Sequence, residues 1–174
     1  LGPSFWRQIA MSADSCDCFT RDAILIDDYG RILNTLRMSR HVLDQTFEEA
    51  VHELSGLPRW TWTFTRPLAK KLFPIPIALP FEDVWFSLLL KRYANEMMHF
   101  CEVSYRYRQH SGQTFGGVLN YTRSIVRFRS CRLLEYARQL PLLKERLGIG
   151  DIIDLSEVAA YHSLVSETGF SVGR

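Results

Sequence analysis

Two groups of polar residues near the middle of the chain have the types and spacing that chemistry needs. Glu82 and Asp83 stand side by side just ahead of the apolar run VWFSLLL, and Arg106, Arg108 and His110 follow further along at every second position. An acid in the first turn of a helix meets unpaired backbone amides and the positive end of the helix dipole, which favour its ionised form by about 0.3–1 kcal/mol. With a loop and Pro80 before it, an ionised Asp83 is suited to act as a general base facing a cleft. First-turn acids also serve stability alone, so the pair by itself leaves both readings open. Two arginines at i and i+2 present planar forks of donors to phosphate or carboxylate. His110 adds an imidazole able to ligate a metal or donate a hydrogen bond. The same row equally suits the solvated face of a sheet.

The elements that must position these groups are legible from periodicity. Residues 82 to 94 form a helix, with Val84, Trp85, Leu88, Leu89 and Tyr93 inward, and residues 97 to 108 form a strand. Along that strand Glu102, Ser104, Arg106, Arg108 and His110 share one face, and Cys101, Val103, Tyr105 and Tyr107 make a core face. Upstream, residues 4 to 18 read as a short helix carrying Phe5, Trp6, Ile9 and Ala10. The run from Ala23 to Ile26 is a buried strand, Asp27-Asp28-Tyr29-Gly30 a tight turn, and residues 31 to 38 a returning strand. In DQTFEEAVHELSG, a helix buries Phe47, Ala50, Val51 and Leu54, with Asp44 or Thr46 as cap and Gly56 as its stop. The segment PRWTWTFTRP alternates Trp60, Trp62 and Phe64 with threonines, the period of a strand. Prolines 67, 74, 76 and 80 then make a loop with one helical turn near Leu68 to Phe73. Gly112, Gly116 and Gly117 loosen the chain before an arginine-rich helix or helix pair over 118 to 147, which Pro141 is expected to bend or split. Asp154 and Glu157 are spaced to cap a last helix reaching about Val165. The expected fold class is α/β, a mixed sheet flanked by helices with a helical C-terminal tail. The division falls between residues 1–117 and 118–174.

Composition narrows the classes of function. The 174 residues, 47% apolar, can bury one core, and a formal charge of +2 is too small to indicate nucleic acid. No reading motif accompanies the arginines, so no nucleic-acid partner is expected. Cys16, Cys18, Cys101 and Cys131 lack the spacing of a disulfide framework or a zinc site, and read as reduced thiols of a cytoplasmic protein. No apolar run approaches the length of a membrane span, and the N-terminus lacks a signal-peptide layout.

The stretch FEDVWFSLLLKR followed by YRYRQHSGQ resembles the second, acceptor-side half of a family 2 glycosyltransferase of the GT-A fold. DAILIDDYGRIL resembles the strand, acidic turn and strand that follow that family's metal-binding aspartates, and GLPRWTWTFTRP the stretch before its acidic pair. The resemblance spans about Asp22 to Gly117. It implies that Asp83 is the catalytic base of an inverting transfer from a nucleotide diphosphate sugar to a glycan or lipid-linked acceptor, with Glu82 orienting the acceptor or nearby backbone. It further implies that Arg108 and His110, with Arg106 in the same row, bind the leaving diphosphate, directly or through a divalent Mg or Mn ion for which His110 is a ligand. Trp60 and Trp62 would stack on sugar rings or sit in the core. The opening strand and Asp-x-Asp motif of such an enzyme have no counterpart here, so the resemblance implies an acceptor-side part of a longer enzyme or a shortened relative.

The tail YTRSIVRFRSCRLLEYARQLPLLKERL holds Arg123, Arg127, Arg129, Arg132, Arg138, Lys144 and Arg146 against two acids. It either packs on the sheet or lies on an anionic membrane surface, which would make the protein peripheral on the inner face. The alternative to an enzyme is a non-catalytic binding module that turns this basic face to an anionic partner or subunit.

Overall fold

The segment DAILIDDYGRIL folds as the expected hairpin, with a longer first strand. The computed structural model describes residues 3–12, 14–110, 112, 122–151 and 153–168. Strand β1 runs Cys18–Ile26 and β2 runs Ile32–Leu36, paired antiparallel with Ala23 beside Leu36 and Ile26 beside Ile32. The turn between them closes on Gly30 at φ 81°, a backbone region that glycine enters without strain, while Asp27 Oδ1 accepts from the amides of Tyr29 and Arg31 at 2.9 and 2.8 Å. β1 begins at Cys18 rather than Ala23 because two charged residues, Arg21 and Asp22, are buried with partners. Arg21 Nη2 donates to Gln8 at 2.7 Å, and Asp22 Oδ1 accepts from the Met38 amide at 2.8 Å and lies 3.4 Å from His99 Nε2.

Strand β4, Met97–Arg108, lies parallel to β1 along its whole length, so β2 and the two-residue strand β3, Thr63–Phe64, share the opposite edge of β1. Helices α1 (Pro3–Ser12), α2 (Arg40–Asp44), α3 (Phe47–Glu53), α4 (Arg66–Leu72), α5 (Glu82–Tyr93), α6 (Arg123–Leu147) and α7 (Leu155–Thr168) complete an α/β architecture with an open mixed sheet. Among the described residues no helix is long and apolar enough to cross a membrane.

The core forms around α5, whose residues Val84 to Leu90 are all buried. Trp85, Leu88 and Leu89 meet Ala50 and Val51 of α3, Leu72 of α4, and Tyr136, Ala137 and Leu140 of α6 in one cluster. Each fully buried leucine in such a cluster stabilises by about 1.5–3 kcal/mol relative to exposure. Trp85 Nε1 donates to the Leu72 carbonyl at 2.8 Å, so the indole is buried with its polar atom satisfied. Thr46 caps α3 in a reciprocal capping box with Glu49.

Several expectations are corrected. The first helix stops at Ser12, short of residue 18. Helix α3 ends on Leu54 in the left-handed conformation, φ 48°, and not at Gly56. PRWTWTFTRP forms a 3-10 turn at Arg59–Thr61 and only two residues of strand, because the Thr61 amide and hydroxyl both bond the Pro58 carbonyl and close a turn. Pro141 does not split α6, which is a single helix through Leu147. Pro141 is exposed, while Tyr136, Ala137, Leu140 and Leu147 anchor the opposite face. The expected division at 117/118 falls outside the described residues, as do Gly116 and Gly117; α6 and α7 pack into the same core as α5.

The polar row of β4 is also corrected. β4 sets twelve residues beside the nine of β1, with the three extra residues taken up between Arg21 and Ala23. An odd surplus reverses the alternation of side chains relative to the neighbouring strand. Glu102 therefore joins Arg21, 3.5 Å from Nη1, while Arg106 and Arg108 sit beside Ile24 and Ile26. Cys101 and Val103, expected in the core, are exposed.

Candidate functional site

The start of α5, the turn at Arg59 and the end of β4 converge on a cavity of about 930 Å³. Its lining includes Glu82 and Asp83 from α5, Trp60 from the turn, Tyr107, Arg108 and His110 from the end of β4 and just past it, and Arg129 from α6. The proline-rich loop contributes Ile75, Ile77 and Leu79 to the rim.

Asp83 is held by the turn in front of it. Its Oδ1 accepts from the Arg59 amide at 2.7 Å, and Arg59 Nη1 lies 2.6 Å from Glu82 Oε2, so one arginine ties down both acids. Burial pushes the Asp83 carboxyl above its ordinary value of 3.8; the Arg59 N–H works against that rise and the neighbouring Glu82 charge adds to it. A carboxylate made more basic by its surroundings is better matched to accepting a proton near neutrality. Gly56 makes this packing possible. A Cβ there would lie 2.9 Å from the Asp83 carbonyl carbon and oxygen and from the Val84 nitrogen.

Behind Asp83 a second cavity of about 410 Å³ opens, lined by Leu36, Met38, Val42, Leu54, Leu57 and Leu133 with Arg37 and Ser39. Pro58, Phe81, Asp83 and Arg129 line both cavities.

The structure brings Glu82, Asp83, Trp60, Arg108 and His110 to one cavity and leaves Arg106 and Trp62 out of its lining. Arg106 is exposed. Trp62 is buried, with Nε1 3.4 Å from the Leu57 carbonyl, and belongs to the core. Trp60 instead tilts over Tyr107, ring centroids 4.6 Å apart, and meets Tyr105 edge-on at 5.8 Å. Arg108 donates to the carbonyls of Asp27 and Asp28, which ties the end of β4 to the hairpin turn. His110 is exposed there beside Gly112.

Sequence reasoning did not single out Arg59, Tyr107 or Arg129. Arg59 follows Pro58 in a segment whose alternation masks the turn. Tyr107 occupied a position read as core, and nothing in the tail separates Arg129 from its neighbouring arginines. His110 brings a single imidazole to the cavity, and among the described residues no group of three or more His, Cys, Asp or Glu side chains is arranged to hold a metal ion.

Compared with family models, with curated proteins and with solved structures, the chain matches none.

Proposed function

We propose that this chain is the acceptor-side part of an inverting glycosyltransferase that moves a sugar from a nucleotide diphosphate sugar to a glycan or lipid-linked acceptor. The observation that carries the reading is the meeting, in the lining of one cavity, of a half-buried carboxylate with Arg108, His110 and Arg129. In that geometry Asp83 takes the proton of an acceptor hydroxyl as its oxygen attacks the anomeric carbon. The bond from that carbon to the diphosphate oxygen breaks with its electron pair leaving on the diphosphate. Negative charge grows on the departing group, where fixed cations stabilise it most effectively. Trp60 offers an aromatic face to a sugar ring, and the Arg59 clamp gives Glu82 a positioning role at the mouth of the helix. A divalent ion at the diphosphate would need ligands beyond His110.

The test uses a chain that includes a donor-binding half. Asp83→Asn should abolish transfer while sugar-nucleotide binding, measured by calorimetry, stays close to that of the parent. Undiminished turnover in that variant would remove Asp83 from the mechanism.

A further inference from the structure

The loop between α4 and α5 reads Phe-Pro-Ile-Pro-Ile-Ala-Leu-Pro over residues 73 to 80, eight residues without one polar side chain. A surface loop of that composition is either folded under or turned toward something apolar. This one does both. Ile75 and Leu79 pack against the core, whereas Phe73 is 49% and Ile77 103% exposed. The Leu79 amide bonds the Pro76 carbonyl at 3.2 Å, closing a turn whose two tip residues are Ile77 and Ala78, both exposed. Phe73 leans on Phe86 at 5.6 Å, which roots the base of the loop, and the prolines restrict the chain so that the apolar tip is held out at little entropic cost.

The helix before the loop adds positive charge, and the acids that follow the loop, Glu82 and Asp83, are both held by Arg59. From Arg66 to Phe81 the chain holds Arg66, Lys70 and Lys71 and no acid, and all three cations are exposed. On α6, which contributes Arg129 to the cavity lining, exposed Arg127 stands beside exposed Phe128. An apolar tip that follows a helix of exposed cations is complementary to a surface with an apolar interior and anionic edge.

We infer that the turn at residues 76–79 inserts Ile77 and Ala78 into an anionic lipid bilayer, with Arg66 and Lys70 on the headgroup phosphates. The cavity mouth, which Ile77 helps to form, then opens at the membrane surface. The membrane contact stands on the loop alone; that the acceptor is carried by lipid rests on the transferase reading above.

The experiment is sedimentation of the 174-residue chain with vesicles of phosphatidylcholine, with and without phosphatidylglycerol, at low and high salt. The chain should bind the phosphatidylglycerol vesicles and lose affinity with salt. Ile77→Asp should weaken binding by about tenfold or more, since a carboxylate at the tip must be dehydrated to insert. Its thermal unfolding should match that of the parent, because Ile77 is fully exposed. Lys70→Glu should weaken binding and flatten its salt dependence. The inference falls if the parent ignores phosphatidylglycerol vesicles, or if Ile77→Asp binds them as tightly as the parent, which would assign the contact to the arginines of α6. It also falls if Ile77→Asp instead dissolves a self-association seen without lipid. Asp83→Asn should leave vesicle binding unchanged, so failure of the membrane contact and failure of the transferase reading are told apart.

Discussion

Replacing Gly56 by alanine tests whether the candidate base is positioned by close backbone packing. The added Cβ would stand 2.9 Å from three backbone atoms, the Asp83 carbon and oxygen and the Val84 nitrogen, inside the 3.4–4 Å of ordinary contact. A flexible side chain would swing aside, but here the neighbours are backbone atoms in the first turn of α5, and the loop after α3 that carries Gly56 is anchored by buried Leu54 and Leu57. Relief requires the loop to retreat, and overpacking of this kind costs about 1–3 kcal/mol. In a chain of this size about 1 kcal/mol corresponds to a shift of about 2–4 °C, so the expected fall in Tm is about 2–12 °C. Gly→Ala also stabilises by restricting the unfolded chain, by about 0.4–1 kcal/mol. Gly150→Ala supplies the control, since nothing lies within 4 Å of a Cβ there and the same unfolded-state term applies. The measurement is therefore the difference in Tm between the two variants by scanning calorimetry. Equal values would refute the argument that Gly56 is required by its contact with Asp83. A confirmed difference has a functional corollary: a loop that retreats carries the Arg59 amide away from the carboxylate it now holds.

Two further predictions concern protons. Because burial raises the Asp83 carboxyl, its charge opposes folding: stability is full below its ordinary value of 3.8 and is lost as pH rises through the raised folded value. Asp83→Asn should therefore gain Tm relative to the parent at about pH 7 and gain less at about pH 4, and an unchanged offset at the two pH values would contradict this. His162 is buried with Nε2 3.0 Å from the His52 carbonyl, and burial lowers its proton affinity below the ordinary 6.5, as it does for His99. For a depressed histidine, stability is lost as pH falls through that ordinary value, so His162→Gln should lose less Tm than the parent between about pH 7.5 and about pH 5.5; parallel curves would count against it.

The parts of the fold that rest on local chemistry are legible in the amino-acid sequence. Helix α5 and strand β4 lie where the apolar run and the alternation of MMHFCEVSYRYR put them, and the glycine turn and the Thr46–Glu49 cap follow from residues only a few positions apart. The misread parts depend on residues distant in sequence. Arg21 and Asp22 disguise the first half of β1, since partners distant in sequence, among them Glu102, Arg37, Met38 and His99, make their burial tolerable. The three surplus residues of β4 have no local signature, yet they decide which of its side chains share a face with Arg21. At the site, Glu82, Asp83, Arg108 and His110 are legible as chemistry-bearing types. The Arg59 clamp and the approach of Arg129 are not, because each is created by packing between segments far apart in the chain.

Asp83 and Arg129 form part of the lining of two cavities at once. A ligand in either cavity would meet the same carboxylate and guanidinium. Whatever fills the smaller, apolar chamber displaces water from one side of the carboxylate and alters how readily it takes a proton on the other. Thermodynamic linkage makes the influence mutual, so an occupant of the larger chamber adjusts affinity in the smaller by the same factor. Ligands in both cavities would therefore share one carboxylate, and each would change the surroundings in which the other meets Asp83.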